Sequence, residues 1–165
     1  MRKILGLLLA VALLLIAVPE AGAEPDARPF KGSMSGSITF EMDPSCDNNQ
    51  WLLRTDSLAT GNVSHMGRSL MASSHCTPAA AEIDGGEMTL TAANGDRVFI
   101  EYTGTAPPPN AAGIIVVDVE FVIIGGDGRF DGATGGGHMT GFIVFEGIED
   151  PEWPASWVWQ GTIGY

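Results

Sequence analysis

Short β-type runs separated by turn residues constrain the fold of this chain more than any other feature. After the first 29 residues no window shows a helical hydrophobic period, and 22 glycines in 165 residues argue against a helical domain. Runs rich in β-branched and aromatic residues, bounded by Gly, Pro, Asn or Asp, are typical of strands. The candidate strands are Phe30–Met42, Trp51–Thr55, Ser57–His65, Ser69–Cys76, Glu87–Ala93, Arg97–Thr105, Ile114–Ile123, His138–Glu146 and Ser156–Gly164.

Alternation within these strands assigns side chains to opposite faces. Val98, Ile100 and Tyr102 share one face, and Trp157 and Trp159 share one face of the last strand. Many short strands joined by tight turns predict an all-β fold, a single closed eight-stranded antiparallel barrel, because closure leaves no unpaired edge. A β-sandwich is the alternative.

One turn is specified by its residues. Asn94-Gly95 lies between two alternating apolar runs, and both residues tolerate a positive φ. This pair predicts a type I′ β-hairpin.

The N-terminus has the pattern of a cleavable secretory signal peptide, residues 1–23. Arg2 and Lys3 precede the apolar run Ile4–Val18, and Ala21-Gly22-Ala23 supplies small residues for cleavage. The run is shorter than the roughly 20 residues that a membrane-spanning helix needs. We therefore expect a secreted protein, extracellular or periplasmic, with no membrane association after cleavage.

Cleavage leaves a short flexible tail, residues 24–29, and one barrel domain, residues 30–165. The whole chain has a net charge of −12, and removal of Arg2, Lys3 and Glu20 leaves six basic and 19 acidic residues, a charge of −13. Such a charge disfavours nucleic acid and anionic membrane surfaces. A homo-oligomer is compatible with the sequence, but no interface is identified by it.

The chain contains two cysteines, Cys46 and Cys76. In an oxidising compartment a single disulfide between them is the simplest expectation. A reactive thiol or a metal-binding pair is the alternative.

The order of several motifs resembles the allene oxide cyclase barrel-like group, small secreted bacterial proteins related in fold to plant allene oxide cyclases and dirigent proteins. The matching stretches are spread over nearly the whole chain after the signal: Pro29–Ser33, Gly61–Arg68, Ser74–Cys76, Leu90–Asp96, Gly128–Gly135 and Gln160–Tyr165. The resemblance implies an eight-stranded antiparallel barrel whose interior can hold a hydrophobic molecule. The plant cyclases act on an unstable fatty-acid epoxide, but the resemblance assigns no active-site residue in this chain.

Three carboxylates are candidates for chemistry in such an interior. Glu101 lies opposite the Val98 face, and Asp118 and Glu120 share a face of a mostly apolar strand. A carboxyl group that lines an apolar cavity acquires a raised pKa and can act as a general acid or base. The alternative is that all three acids face water.

Histidines and aromatic residues supply the remaining candidates. His65 and His75 are ten residues apart and would lie near one barrel end if a turn at 66–68 reflects them, but a zinc site needs three or four ligands, so no metal or other cofactor is expected. Tyr102, Trp157 and Trp159 are candidates for contact with a ligand, or they fill the core.

We expect a secreted binding or structural module whose apolar interior holds a small hydrophobic ligand, and we do not expect an enzyme. One alternative is a cyclase or isomerase that acts on a hydrophobic substrate through a buried carboxylate. Another is a carbohydrate-binding protein, which requires exposed tryptophans on one flat face.

Overall fold

The chain forms a closed eight-stranded barrel in a computed structural model that describes residues 26–46, 53–77, 81–147 and 149–165. Each strand is antiparallel to the next, and β8 pairs with β1 to close the barrel. The predicted all-β fold and eight-stranded barrel are confirmed, and the β-sandwich is wrong. The strands are β1 (Arg28–Met42), β2 (Leu53–Val63), β3 (Gly67–Cys76), β4 (Glu82–Ala92), β5 (Arg97–Thr105), β6 (Ile114–Asp127), β7 (Thr134–Val144) and β8 (Glu152–Gly164).

The part of the chain with described structure contains one short 3₁₀ turn, Gly128–Phe130, between β6 and β7. No helix in this part is long and apolar enough to cross a bilayer. The predicted signal peptide, residues 1–23, lies outside the described residues.

Most strands differ from their predicted bounds by a few residues, and only β5 matches its prediction. Thr55 and Ser57, assigned above to separate strands, belong to one uninterrupted strand, β2. β8 begins at Glu152 and includes Pro154, which lies beyond the last β7 pairing, Ile143 with Ala155. At Pro154, β8 is paired with β1 alone. Proline has no backbone N–H, and at this position no hydrogen bond to a second neighbouring strand is lost.

The turn at Asn94-Gly95 connects β4 to β5, but it is not of type I′. Gly95 has a φ of +91°, whereas Asn94 does not have a positive φ. The Gly95 N–H donates to the Ala92 carbonyl, and the Ala92 N–H donates to the Asp96 carbonyl. This is the three-residue hairpin in which a type I turn is followed by a left-handed glycine.

The two ends of the barrel differ in how they are filled. At one end, Phe30 and Phe130 are fully buried, and the Tyr165 ring packs 4.8 Å from Phe130, centroid to centroid. Arg28 lies over the Tyr165 ring. This aromatic cluster closes the end that carries the short turns, which we call the closed end. The opposite end carries the longer connections and is called the open end.

A disulfide between Cys46 and Cys76 fastens the open end, and the predicted pairing is confirmed. It joins the β1–β2 connection to the last residue of β3, directly after His75. Closing a loop of 30 residues stabilises the fold by about 3.5 kcal/mol through chain entropy.

Candidate ligand-binding site

A cavity of about 520 Å³ occupies the open half of the barrel interior. Its apolar wall comes mainly from β6, β7 and β8, and its rim includes Pro107 and Pro108 of the β5–β6 connection. The apolar residues on these three strands are Ile115, Val117, Met139, Ile143, Trp153 and Trp157, and further apolar residues line the cavity from β1 and β4, namely Ile38, Phe40 and Ile83.

A polar stripe runs along the opposite wall, on β2, β3 and β5 and on Thr77, the residue that follows β3. Thr55 lies opposite His75 and Ser57 opposite Ser73 in the β2–β3 ladder, so these four side chains point to the same interior. The Thr55 hydroxyl shares a 2.8 Å hydrogen bond with the hydroxyl of Thr77. Thr55 and Ser57 are buried, 5% and 8% exposed, although the barrel core around them is apolar. Hereafter the polar stripe means Thr55, Ser57, Ser73, His75, Thr77 and Tyr102.

The central pair of the polar stripe is His75 and Tyr102. His75 Nδ1 lies 2.8 Å from the Tyr102 hydroxyl oxygen, which also lies 3.4 Å from the Ser74 carbonyl oxygen. The two rings meet edge to face, with centroids 5.8 Å apart. The second ring nitrogen of His75, Nε2, has no hydrogen-bond partner among the described residues, so it is free to bond a molecule in the cavity.

Burial holds both members of this pair in their neutral forms. Desolvation lowers the pKa of His75 to about 4, and the negative charge of Asp56 opposes this shift only in part. Desolvation also raises the pKa of Tyr102, and the influence of the Ser73 side chain opposes that shift. At neutral pH the pair therefore presents hydrogen-bonding groups without charge.

Gly86 determines where the Tyr102 ring can lie. The two residues are opposite one another in the β4–β5 ladder, just after an irregularity between Ile83 and Gly86. A Cβ atom at position 86 would lie 2.3 Å from Cε2 of Tyr102, which is too close for two carbon atoms. The absence of a side chain at Gly86 thus makes room for the ring that reaches His75.

The described wall of the cavity carries no formal charge. Among the described residues that line it there is no Lys, Arg, Asp or Glu. The guanidinium of Arg54 forms ion pairs with Glu41, Asp43 and Asp56, and none of these four residues lines the cavity. A bound molecule would therefore meet no formal charge in the described wall.

A second depression, of about 600 Å³, lies over the outer faces of β1 to β6. It is a shallow surface groove that includes Asp56, Glu87 and Phe99. It offers no polar pair as buried as His75 and Tyr102. We assign the candidate site to the interior cavity.

All three candidate carboxylates point away from the interior. Glu101, Asp118 and Glu120 are exposed on the outer face of the barrel, and Asp118 forms an ion pair with His138. Their strands alternate strictly, so the buried positions are the residues on either side of each acid. None of the three can act as a desolvated acid or base in the cavity.

His65 and His75 lie at opposite ends of the barrel, so the expectation that a turn brings them together is wrong. His65 is itself in the β2–β3 turn at the closed end, with a φ of +67°, and its Nε2 bonds the Pro29 carbonyl. His75 is near the far end of β3, a strand of ten residues that extends about 30 Å. No cluster of three metal-ligating side chains occurs within the described ranges.

The tryptophans of β8 are interior residues. Trp153, Trp157 and Trp159 are 8%, 4% and 6% exposed, so they form no flat outer face for a sugar. Trp153 and Trp157 line the cavity, whereas Trp159 packs deeper, against Gly32 of β1. Of the three predicted ligand-contact residues, Tyr102 and Trp157 reach the cavity and Trp159 does not.

Sequence reasoning missed the hydroxyl groups of the polar stripe. Thr55, Ser57, Ser73 and Thr77 were not singled out, yet a signal for them exists. In a hairpin, residues equally far before and after the centre of the turn lie opposite each other. With His65 at the centre of the β2–β3 turn, Ser57 lies opposite Ser73 and Thr55 opposite His75. Alternate polar residues on both arms of one hairpin indicate a shared polar face.

Comparison with known proteins gives one structural neighbour to report. The fold is similar to the solved structure of a pterocarpan synthase dirigent protein, with 13% sequence identity, a TM-score of 0.49, and coverage of 86% of this chain and 87% of that one. No family model matches the chain, and no curated protein is significantly similar to it. The assignment of the site therefore rests on the geometry described above.

Proposed function

We propose that this protein is a secreted binding module that holds a small hydrophobic molecule inside its barrel. The observation that carries the proposal is the cavity of about 520 Å³ at the open end, with an apolar wall facing the polar stripe. Small-molecule sites in proteins have volumes of roughly 300–1,000 Å³ and combine apolar walls with a few convergent polar groups. The cavity has both properties.

Secretion is part of the proposal. The Cys46–Cys76 disulfide supports it, since disulfides persist mainly in oxidising compartments. Membership of the allene oxide cyclase barrel-like group is likewise proposed, supported by the order of its motifs and by the eight-stranded closed barrel.

A cyclase or isomerase acting in the same cavity is the second candidate function. The His75–Tyr102 pair favours it, because a neutral imidazole with a free Nε2 can exchange a proton with a bound molecule. In that case the group that acts would be His75 rather than a carboxylate. The bound molecule would then be recovered with its bonds rearranged, whereas a binding module would release it unchanged.

Binding can be tested with prodan, a neutral naphthalene ketone whose fluorescence reports an apolar environment. Ile115 lines the cavity and its neighbour Val116 is exposed on the outer face, so Ile115→Trp should fill the cavity and Val116→Trp serves as the matched control. We expect prodan to bind the wild type and Val116→Trp equally, and Ile115→Trp at least about tenfold more weakly, because the introduced ring occupies the ligand volume.

Circular dichroism would establish that each variant is folded. If Ile115→Trp does not fold, Ala106→Trp at the rim replaces it in the comparison. Equal binding of prodan by the wild type and a folded cavity-filling variant, or no binding by the wild type, would contradict the proposed function.

A further inference from the structure

We propose that the ligand of this cavity is an uncharged molecule with an apolar body and a hydrogen-bond-accepting oxygen on one edge, which His75 Nε2–H binds. The inference rests on the proposed function and adds the chemical class of the ligand. It follows from how polarity, charge and hydrogen-bond donors are distributed around the cavity.

The two walls of the cavity require a ligand with two unlike edges. The polar stripe lies on β2, β3 and β5, and the apolar wall with Trp157 and Met139 lies on β7 and β8 across the interior. A wholly apolar molecule would cover the hydroxyl of Ser57, which has no hydrogen-bond partner among the described residues, and leave it unsatisfied. Covering such a group without a hydrogen bond costs about 1–3 kcal/mol. A molecule with oxygen on one edge avoids that penalty.

The hydrogen bonds of Tyr102 determine which ring nitrogen of His75 carries a proton. The phenol has one hydrogen, which we assign to the bond with His75 Nδ1, at 2.8 Å, rather than to the longer contact with the Ser74 carbonyl oxygen, at 3.4 Å. When the phenol donates to Nδ1, a neutral imidazole must carry its hydrogen on Nε2. The free position of His75 is then a donor, and the group it binds is an acceptor such as a carbonyl, ether or hydroxyl oxygen.

The charge of the site excludes an anionic head group. The described cavity wall contains no Lys or Arg, and the whole chain has a net charge of −12. A carboxylate moved into this wall would lose its hydration and gain no cation, which is strongly unfavourable. Free fatty acids and other carboxylates are therefore poor ligands despite their apolar bodies.

Three compounds of nearly equal shape test separately the need for an acceptor oxygen and the need for an uncharged ligand. They are 2-acetylnaphthalene, 2-isopropenylnaphthalene and the 2-naphthoate anion. They present a carbonyl oxygen, a methylene group and a carboxylate on the same apolar body. Their affinities at pH 7 would be measured by displacement of prodan from the wild type. We expect 2-naphthoate to bind at least about tenfold more weakly than the ketone.

The role of His75 is tested by His75→Asn, whose amide retains a partner for Tyr102 but has no group at the Nε2 position. We expect the affinity ratio of ketone to alkene to fall about fivefold in His75→Asn, as for the loss of one hydrogen bond. Ser37→Ala, on the outer face, is the control and should leave the ratio unchanged. If His75→Asn does not fold, Ser57→Ala replaces it and should lower the same ratio.

The possible failures are distinguishable. Binding of none of the three compounds, together with no binding of prodan, would contradict the proposed function itself. Binding of 2-naphthoate as tightly as the ketone, or an unchanged ketone-to-alkene ratio in His75→Asn and Ser57→Ala, would overturn the inference and leave the binding function standing.

Discussion

His75 on β3 and Tyr102 on β5 meet across the cavity wall, with Nδ1 of the imidazole 2.8 Å from the phenol oxygen. The strand between them, β4, has Gly86 at the position where a side chain would displace the tyrosine ring. Both groups are desolvated, so the hydrogen bond joins two neutral partners within the polar stripe of the cavity. The properties of this pair lead to three predictions, and the neighbouring disulfide leads to a fourth.

Removal of the Tyr102 hydroxyl should destabilise the protein. In Tyr102→Phe the ring remains but His75 Nδ1 loses its partner, so the free energy of unfolding should fall by about 1–2 kcal/mol. Urea denaturation would measure the change. Tyr165→Phe is a matched control at the closed end, since the Tyr165 hydroxyl has no hydrogen-bond partner in the described part of the chain. An equal effect of the two substitutions would contradict the role of the pair.

The pH dependence of stability should carry the signature of a buried neutral histidine. The pKa of His75 is lowered from 6.5 to about 4 by burial, so as the pH falls below 6.5 the unfolded chain binds a proton before the folded one does. The contribution of neutral His75 to the free energy of unfolding is therefore fully present above pH 6.5. It is lost progressively as the pH falls towards 4, by at most about 3 kcal/mol.

His75→Asn should remove this component of the pH dependence, whereas His138→Asn, on the outer face, should retain it. Denaturant unfolding of the wild type and both variants at a series of pH values between 4 and 7 would show the difference. If the wild type and His75→Asn lose stability in parallel over this range, His75 is not buried as described.

Gly86→Ala should disturb the site through Tyr102. The added Cβ would lie 2.3 Å from the tyrosine ring, so we expect a loss of about 1–3 kcal/mol in the free energy of unfolding and weaker prodan binding. A double-mutant cycle with Tyr102→Ala tests the cause, because the clash disappears when the ring is absent. Additive effects of the two substitutions would show that Gly86 acts in some other way.

The disulfide should stabilise the open end and the fold. Replacement of Cys46 and Cys76 by alanine should lower the free energy of unfolding by about 3.5 kcal/mol, since the unfolded chain gains the freedom of a 30-residue loop. Reduction of the wild type should lower its thermal midpoint to a similar degree. A midpoint unchanged by reduction, with both thiols shown to be free, would contradict this role.

Much of the fold could be predicted from local pattern. Alternation placed Val98, Ile100 and Tyr102 on one face, and all three are buried. Alternation alone does not show which face of a strand is buried when both faces are partly apolar, as in β6. The sequence therefore could not show whether Asp118 and Glu120 point into the barrel or out to solvent. The disulfide could be predicted because the chain has two cysteines and a predicted export signal.

The site depends on contacts between distant strands, which the local sequence pattern of a single strand does not reveal. His75 meets Tyr102 only because β3, β4 and β5 pair in one particular register, with a bulge beside Gly86. A shift of one residue in either ladder would turn the two side chains to opposite faces of the barrel. The hydroxyls of β2 and β3 were more accessible to prediction, because the turn at His65 sets their register within one hairpin.

Nitrogen-15 NMR of the imidazole rings during titration with 2-acetylnaphthalene tests the central claim most directly. The chain has three histidines, and His65 at the closed end and His138 on the outer face are internal controls. We predict that His75 at pH 7 is neutral with its hydrogen on Nε2, and that its Nε2–H resonance alone shifts and saturates as the ligand binds. A charged His75, or binding of the ligand with no change at His75, would contradict the claim that this cavity binds its ligand through the His75–Tyr102 pair.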